Sequence, residues 1–173
     1  MIKPAHFVLF VGLIMTSVAS VAGYLWFNPP QKTEKQVIYR PDFSLTDLNG
    51  KIRNVSEWDN KILVVNFWAT WCPPCIREMP LFVEIQQDYG EIGLQIIGIA
   101  VDEHEAILQF VEENHINYPI LEGDDVINIS KSFGNRIGAL PFTAVVDRNG
   151  NVVERHVGDL NLREVKEKIL SLL

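Results

Sequence analysis

Apolar and polar positions along the chain predict strands that alternate with helices. Residues 62–68 form a nearly continuous apolar run rich in β-branched side chains, as expected of a strand that is covered on both faces. Apolar positions at helical spacing follow over residues 73–89, and Gly90 suits the end of a helix. Residues 94–101 are then predicted to form another strand.

The remainder of the chain continues this alternation and adds two hairpins. Asn49-Gly50 and Asn149-Gly150 are each the dipeptide that most favours a tight hairpin turn. Strands that alternate with helices and end in a hairpin predict an α/β fold, with a central mixed β-sheet flanked by helices on both faces. The other predicted strands span residues 43–45, 52–55, 118–121, 142–146 and 152–156, and the other predicted helices span residues 105–114, 127–133 and 162–172.

The N-terminal segment differs from this pattern because residues 7–27 contain no charge. At a rise of about 1.5 Å per residue, a helix of this length can cross roughly 30 Å of hydrocarbon. A cleaved signal peptide is the alternative, since Lys3 gives a positive start and Ser20-Val21-Ala22 has the spacing of a cleavage site. Aromatic residues continue the apolar segment beyond that site, as at a membrane interface. Residues 1–27 are therefore interpreted as a retained membrane anchor.

Residues 28–36 are interpreted as a linker, because they are polar and include Pro29 and Pro30, which do not continue a helix. Residues 37–173 then form one globular domain, since their number suits a single hydrophobic core. The 173-residue chain has a formal net charge of −7 and no basic cluster. Nucleic acid as a partner therefore has no electrostatic support.

Charges near the anchor do not favour an external domain by themselves, because Lys3 precedes it whereas Lys32, Lys35 and Arg40 follow it. Long domains, however, cross membranes largely irrespective of flanking charge. The apolar segment also begins close to the N-terminus, as signal anchors do. We therefore expect a single-pass protein with its domain on the extracytoplasmic, or periplasmic, side.

The candidate chemistry lies in the two cysteines of the chain, Cys72 and Cys75. Two cysteines three positions apart at a helix start lie close enough to form a disulfide, although a CxxC pair also suits half of a zinc site. Zinc needs four ligands, and the sequence has neither a second CxxC pair nor histidines at the spacing of a compact site. A purely structural disulfide is a poor explanation, because so small a ring removes little chain entropy. Redox exchange is the favoured interpretation.

The helix start predicts different roles for the two sulfurs. Free backbone N–H groups and the helix dipole stabilise a thiolate at Cys72, which is therefore the predicted nucleophile. Cys75, one turn further in, would resolve the mixed disulfide that Cys72 forms with a substrate. Pro73 suits the first helical turn, and Pro74 removes a second N–H donor and stiffens the connection between the sulfurs.

Residues 65–75, followed by Glu78-Met79-Pro80, resemble the active-site strand and helix of the thioredoxin superfamily, specifically its TlpA-like branch, which includes ResA and CcmG-type proteins. The resemblance extends over residues 41–173 and includes an inserted helix and strand near residues 103–121 and the segment 138–143. It implies a thioredoxin-like fold with an N-terminal β-hairpin and an inserted βα element. It also implies a membrane-anchored thiol-disulfide oxidoreductase.

The resemblance further implies a pathway and partners. Proteins of this branch are typically tethered to the outside of the bacterial cytoplasmic (inner) membrane, and many act as reductants in cytochrome c maturation or other periplasmic thiol pathways. The expected substrates are disulfide-containing proteins, and a membrane or extracytoplasmic thiol donor would re-reduce the enzyme. The redox-active disulfide of Cys72 and Cys75 would be the only redox group, with no other cofactor and no metal.

The same resemblance assigns substrate-binding residues. Pro141 matches the family's cis-proline, which would lie beside the sulfurs and leave the backbone of Leu140 to pair with a substrate strand. Trp71 is expected to cover the disulfide and to meet the substrate. With Pro73 and Pro74, these residues form the candidate substrate-binding site.

Glu78 is the third candidate catalytic residue, because it follows Cys75 by three positions and so lies on the same helical face. An exposed glutamate in an ion pair is the alternative from the sequence alone. The resemblance implies instead that Glu78 lies near the cysteines and affects their acidity and proton transfer. Asn66 stands where thioredoxin has a buried aspartate, so Glu78 is expected to accept the proton of Cys75.

Two other functions are compatible with the same fold. A copper-binding assembly factor similar to Sco proteins would need a CxxxC motif and a distant histidine, whereas this chain has CxxC. A thiol peroxidase is suggested by residues 41–51, which resemble the opening of peroxiredoxins, but Cys72 lacks the preceding Pro-x-x-x-Thr-x-x pattern. The sequence favours a reductive thiol-disulfide oxidoreductase over both, while the motif by itself leaves the direction of electron flow open.

Overall fold

The computed structural model describes residues 20, 23–24, 26–27, 38–160 and 162–173. The anchor predicted at residues 1–27 and the linker predicted at residues 28–36 lie outside this part of the chain, apart from the five helical residues before position 28. Within the described residues, no helix is both long and apolar enough to cross a membrane. Membrane anchoring therefore stays a prediction.

Residues Val37–Leu173 form one compact unit that contains an eight-stranded sheet. The spatial order of its strands is β1-β8-β7-β4-β5-β6-β2-β3. Neighbouring pairs β4–β5 and β5–β6 are parallel, and the other neighbouring pairs are antiparallel, so the sheet is mixed as predicted. The strands are β1 (Ile38–Tyr39), β2 (Ser44–Asp47), β3 (Ile52–Asn54), β4 (Ile62–Trp68), β5 (Leu94–Ala100), β6 (Ile120–Glu122), β7 (Phe142–Val146) and β8 (Asn151–Val157).

Four helices cover the two faces of the sheet. They are α1 (Pro73–Tyr89), α2 (His104–Glu113), α3 (Val126–Ser132) and α4 (Leu162–Leu170), with 3-10 turns at Val55–Trp58 and Gly90–Ile92. Phe82 of α1, Ile107 of α2 and Ile169 of α4 belong to the core on one face. Val126 and Ile129 of α3 belong to the core on the opposite face. The predicted α/β fold with helices on both faces is therefore confirmed.

β4 has the bounds that its apolar run predicts, and all seven of its residues are buried. Side chains of a strand alternate between the two faces of a sheet. Val64 and Trp68 accordingly contact the core beneath α1, whereas Val65 and Phe67 contact the other core. Asn66, between them, is a buried polar residue on the α1 side.

The structure moves several predicted boundaries by one or two residues and adds one strand. β2 spans Ser44–Asp47 rather than residues 43–45, and β6 begins at Ile120 rather than at Tyr118. The carbonyl of Pro119 accepts a hydrogen bond from the backbone N–H of Gly98 at 2.9 Å, but Pro119 has no N–H to donate in return. β1 was not predicted, because two residues are too few to show alternation. It pairs with β8 at the edge of the sheet.

Gly98 lies where the β5 backbone approaches two aromatic side chains closely. A Cβ at this position would lie 2.5 Å from Cδ1 of Ile120, 3.1 Å from Nε1 of Trp68 and 3.3 Å from Cε2 of Tyr118. The Trp68 ring in turn packs on Phe110, with ring centroids 5.2 Å apart. Crowding in a close-packed core is therefore expected at this position if any larger residue replaces glycine.

We expect Gly98→Ala to lower the free energy of unfolding by roughly 1–3 kcal/mol, as overpacking of a core does. Chemical denaturation measures this loss. Ile120→Val is the matched partner, because it removes the atom nearest to the new methyl group. The double variant should therefore lose less unfolding free energy than the two single variants lose together. If the two losses are strictly additive, contact between the new methyl group and Cδ1 of Ile120 is not the cause of the destabilisation.

Candidate active site

The carboxyl end of β4 leads through residues 69–71 to Cys72, and Asp102 fixes this loop. Asp102 follows β5, which pairs in parallel with β4 so that Trp68 lies opposite Ala100. Its Oδ2 accepts hydrogen bonds from the hydroxyl and, at 3.1 Å, from the backbone N–H of Thr70. Burial opposes the charge on Asp102, but these bonds and one from the Glu103 backbone outweigh it and lower its pKa. The loop is therefore held by an ionised carboxylate.

Cys72 and Cys75 form a disulfide, with their Cα atoms 5.3 Å apart. Cys72 caps the N-terminus of α1, and its Sγ accepts a hydrogen bond from the backbone N–H of Cys75 at 3.4 Å. Cys72 is 4% exposed, whereas Cys75 is 0% exposed. This geometry agrees with an attacking Cys72 and a resolving Cys75, because the helix start and the remaining access to solvent both lie at Cys72.

The predicted substrate-binding residues surround the same helix start. Trp71 is 65% exposed, and Pro73 is also exposed whereas Pro74 is half-buried. β7 runs antiparallel to β4, so the segment before β7 lies at the edge where β4 ends. Leu140 and Pro141 occupy that segment, their peptide bond is cis, and Leu140 packs against the core that contains both cysteines. The structure therefore brings all five residues to one edge of the sheet.

Asn135 braces the loop that leads to Leu140. Its side chain is buried, and its Nδ2 donates to the Ser130 hydroxyl at 2.9 Å and to the Ala139 carbonyl at 2.8 Å. Its Oδ1 accepts from the backbone N–H of Ala139 at 3.0 Å. This bracing ties the loop to the end of α3. The position of the residues before β7 is therefore fixed by hydrogen bonds from a buried side chain.

Glu78 lies in the core rather than on the surface, with 5% of its side chain exposed. Nδ2 of Asn66 donates a hydrogen bond to Oε1 of Glu78 at 2.8 Å and another to the hydroxyl of Thr143 at 3.0 Å. These three residues link α1 to β4 and β7 one helical turn beyond Cys75. The exposed ion pair considered as an alternative for Glu78 is therefore wrong.

Burial raises the pKa of the Glu78 carboxyl to about 7, although hydrogen bonds from Asn66 and the backbone of Leu160 lower it, and the charge of Asp159 raises it further. Among the described residues, four buried side-chain atoms have no hydrogen-bond partner: Asn66 Oδ1, Trp68 Nε1, Glu78 Oε2 and Tyr118 Oη. A carboxylate in such surroundings is poorly compensated, so Glu78 can hold a proton near neutral pH. It can therefore exchange a proton with a nearby thiol.

Tyr118 is a second titratable side chain next to this carboxyl. Burial and the negative charge of Glu78 both raise the Tyr118 pKa. Its ring packs edge-on against Phe82, which follows Glu78 by one turn of α1, with centroids 6.5 Å apart. Tyr118 is therefore a neutral hydroxyl in the wall around Glu78.

Three residues that shape the site were not predicted. Asp102 could have been found, because a polar residue directly after a buried parallel strand lies at the edge where such sheets place their functional groups. Thr143 gave no local signal, since its partner Asn66 lies 77 positions away. Asn135 bonds to Ser130 and Ala139, which are close in sequence, but no periodic pattern in this loop marks the contact. Among the described residues, no group of three or more His, Cys, Asp or Glu could hold a metal ion.

Comparison with known proteins identifies the family. A family model described as Redoxin matches residues 35–170. The chain belongs to the Redoxin family. This Redoxin member is 30% identical to Thiol-disulfide oxidoreductase ResA of Geobacillus kaustophilus, over 98% of this chain and 98% of that protein. It is 34% identical to Thiol-disulfide oxidoreductase ResA of Bacillus anthracis, over 77% of this chain and 73% of that protein.

A solved structure is also similar to this Redoxin member in sequence and fold. A thiol:disulfide interchange protein of the thioredoxin family from Chlorobium tepidum TLS is 26% identical, with a TM-score of 0.73 over 81% of this chain and 99% of that chain. The predicted resemblance and the thioredoxin-like fold are therefore confirmed. The chain is a thiol-disulfide oxidoreductase whose redox group is its own disulfide. These relatives favour disulfide exchange over the copper-binding and thiol peroxidase alternatives.

The pKa of Glu78 predicts a dependence of stability on pH. The folded protein holds this proton up to a pKa of about 7, whereas the usual value is 4.5. A raised carboxyl pKa stabilises the fold most at low pH, and this contribution is lost as pH rises from about 4.5 through 7. We expect the oxidised protein to lose roughly 3 kcal/mol of unfolding free energy over that interval through this group.

Chemical denaturation of the oxidised protein between pH 5 and pH 8 measures this loss. Glu78→Gln should flatten the dependence, because the amide does not titrate. Glu84→Gln on the same helix is the control, since Glu84 is exposed and makes only a surface ion pair with Lys166. Parallel curves for wild type and Glu78→Gln would contradict the assignment of the raised pKa to Glu78.

Proposed function

We propose that this oxidoreductase reduces disulfides in extracytoplasmic proteins while anchored in the bacterial cytoplasmic membrane by residues 1–27. The observation that supports the reductive role most directly is the burial of Cys75 and Glu78 side by side along α1. The uncharged N-terminal segment and the resemblance to membrane-tethered proteins support the location. Cytochrome c maturation is one pathway that needs such a reductant.

The reaction begins with the dithiol form. The Cys72 thiolate attacks one sulfur of the substrate disulfide, which forms a mixed disulfide and releases the other substrate sulfur as a thiolate. Glu78 accepts the proton of Cys75, and the resulting thiolate attacks Sγ of Cys72. The second substrate sulfur leaves and is protonated, and Cys72 and Cys75 are left as a disulfide. The substrate has gained two electrons, which a partner thiol pair must return to the enzyme.

The substrate would bind across the helix start during these steps. The backbone of Leu140 would pair with an extended substrate segment, as a strand edge does. Trp71 would cover that segment from the other side of Cys72, with Pro73 and Pro74 beneath it. An exposed aromatic ring beside a buried sulfur favours contact with a protein rather than with water.

The direction of electron flow follows from the stability of the thiolates. A disulfide is a strong oxidant when the dithiol that it yields is stabilised. Complete burial of Cys75 disfavours its thiolate, and a carboxylate at Glu78 would disfavour it further. The reduced form is therefore poorly stabilised, which favours donation of electrons.

We expect the redox potential of the Cys72–Cys75 pair to be well below about −180 mV, the value typical of disulfide isomerases. Equilibration of the full-length protein with glutathione buffers, followed by alkylation and mass measurement, gives the potential. Glu78→Gln should raise the potential, because it removes a group that disfavours the buried thiolate. A wild-type potential at or above about −180 mV would argue against a dedicated reductant.

We expect Cys75→Ser to accumulate mixed disulfides in cells, because the resolving sulfur is absent. Cys72→Ser is the matched control and should trap far fewer, since its remaining sulfur is fully buried. The trapped complexes should remain in the membrane fraction and contain proteins with domains outside the cytoplasmic membrane. Complexes with cytoplasmic proteins alone would contradict the proposed location, although not the exchange reaction.

A further inference from the structure

Trp71 lines a groove of about 710 Å³. The lining also includes Asp124, Val126 and Ile127, at the start of α3. Trp71 immediately precedes Cys72, so the groove is continuous with the surface on which a substrate disulfide must lie. Trp71 and Ile127 are both exposed large apolar side chains. The groove therefore offers two apolar contacts, one of them beside the nucleophile.

The topology of the sheet explains why the groove lies beside the nucleophile. β4, β5 and β6 are parallel neighbours, so their carboxyl ends lie at one edge. The loop after β4 leads to Cys72, the residues directly after β5 include Asp102 and Glu103, and the residues after β6 include Asp124. Such edges are where open α/β sheets bind their ligands. The loops after β5 and β6 therefore form a binding surface beside the loop after β4, which leads to Cys72.

The polar lining of the groove is acidic. It contains Asp102, Glu103, Glu122 and Asp124, and His104 is the only basic residue among its described lining residues. Nδ1 of His104 lies 2.6 Å from Oε1 of Glu122. Asp102 already accepts hydrogen bonds from Thr70. In the described part of the chain, the carboxylates of Glu103 and Asp124 have no such partners.

The chain segment that supplies most of the groove carries no lysine or arginine, since residues 78–130, which include β5, β6 and the connections that line the groove, contain neither. The adjacent hairpin carries Lys51 and Arg53, but neither residue lines the groove. Arg53 is already paired with Asp47 and Glu57. Unpaired carboxylates in a concave surface attract cations more strongly than the same charges on a flat surface. The groove is therefore complementary to a positively charged segment.

We propose that this groove binds a segment of the substrate protein that flanks its disulfide and combines basic residues with an apolar side chain. The apolar side chain lies against Trp71 and Ile127, and the basic residues face Glu103 and Asp124. The proposal rests on the proposed function, since it specifies the substrate class of the same disulfide exchange. It makes the inserted βα region a specificity element that takes no part in electron transfer.

Two synthetic peptides test the proposal. Each is closed by one disulfide and has a phenylalanine beside a cysteine, with lysines around the phenylalanine in one peptide and glutamates in the other. The measurement is the second-order rate constant for reduction by the prereduced full-length protein, divided by that for a neutral small disulfide, 2-hydroxyethyl disulfide. We expect the cationic peptide to react at least roughly tenfold faster than the anionic one at low salt, and less so at high salt.

Matched variants locate the effect. The double variant Glu103→Gln, Asp124→Asn should lower the normalised rate for the cationic peptide by roughly three- to tenfold, since it removes two charges without changing side-chain size. Glu91→Gln, Glu112→Gln removes the same charge from exposed positions that do not line the groove, and it should keep the preference. An equal loss in both double variants would overturn the proposal, because net charge would then explain the effect.

The outcomes distinguish a failure of the reductive function from a failure of the groove to select cations. If the protein reduces neither peptide nor 2-hydroxyethyl disulfide, the proposed reductive function fails. If it reduces both peptides at equal rates, the reductive function stands and the groove does not select cations. A slower reaction of the cationic peptide would likewise overturn the groove proposal.

Discussion

Burial of β4 on both faces is the constraint on which the active site depends. A strand covered by β5 and β7 at its sides and by helices above and below has little freedom of register, because a slip by one residue would move Asn66 and its apolar neighbours to the wrong faces. The carboxyl end of the strand is therefore fixed, and Cys72 with it. Asp102 and the Leu140–Pro141 segment are held at the same edge by pairing with this strand, directly or through β5. The register of β4 thus determines the position of the active site.

The buried hydrogen bonds of Glu78 follow from that register. Asn66 places one amide group between a carboxyl from α1 and a hydroxyl from β7, so two elements that are distant in sequence converge beneath the cysteines. The apolar core around them supplies too few donors for a stable carboxylate, and this shortage is what moves the Glu78 pKa toward neutrality. Packing, rather than the identity of the residue, gives this glutamate its proton affinity.

Much of the fold could be predicted from the sequence, because the informative patterns are local. The apolar run of β4, the helical spacing of α1 and the two Asn-Gly turns each depend on residues close in the chain, and their elements have nearly the predicted bounds. The burial of Glu78 could not be derived in this way, since spacing from Cys75 fixes a helical face but not what covers it. The bonds that Asp102 makes to Thr70 could not be derived either, because these two residues lie 32 positions apart and meet only when β4 and β5 pair.

Pro73 and Pro74 have a consequence for how the chemistry is set. A helix N-terminus normally offers several N–H groups to an anion, yet both residues that follow Cys72 lack one, and the first donor that reaches its sulfur is that of Cys75. The covalent structure of the chain thereby limits how many hydrogens can solvate the nucleophile. The number of main-chain hydrogens at the helix start is then one determinant of electron affinity at this site, beside the burial of Cys75 and the charge of Glu78, and side-chain rearrangement does not alter it.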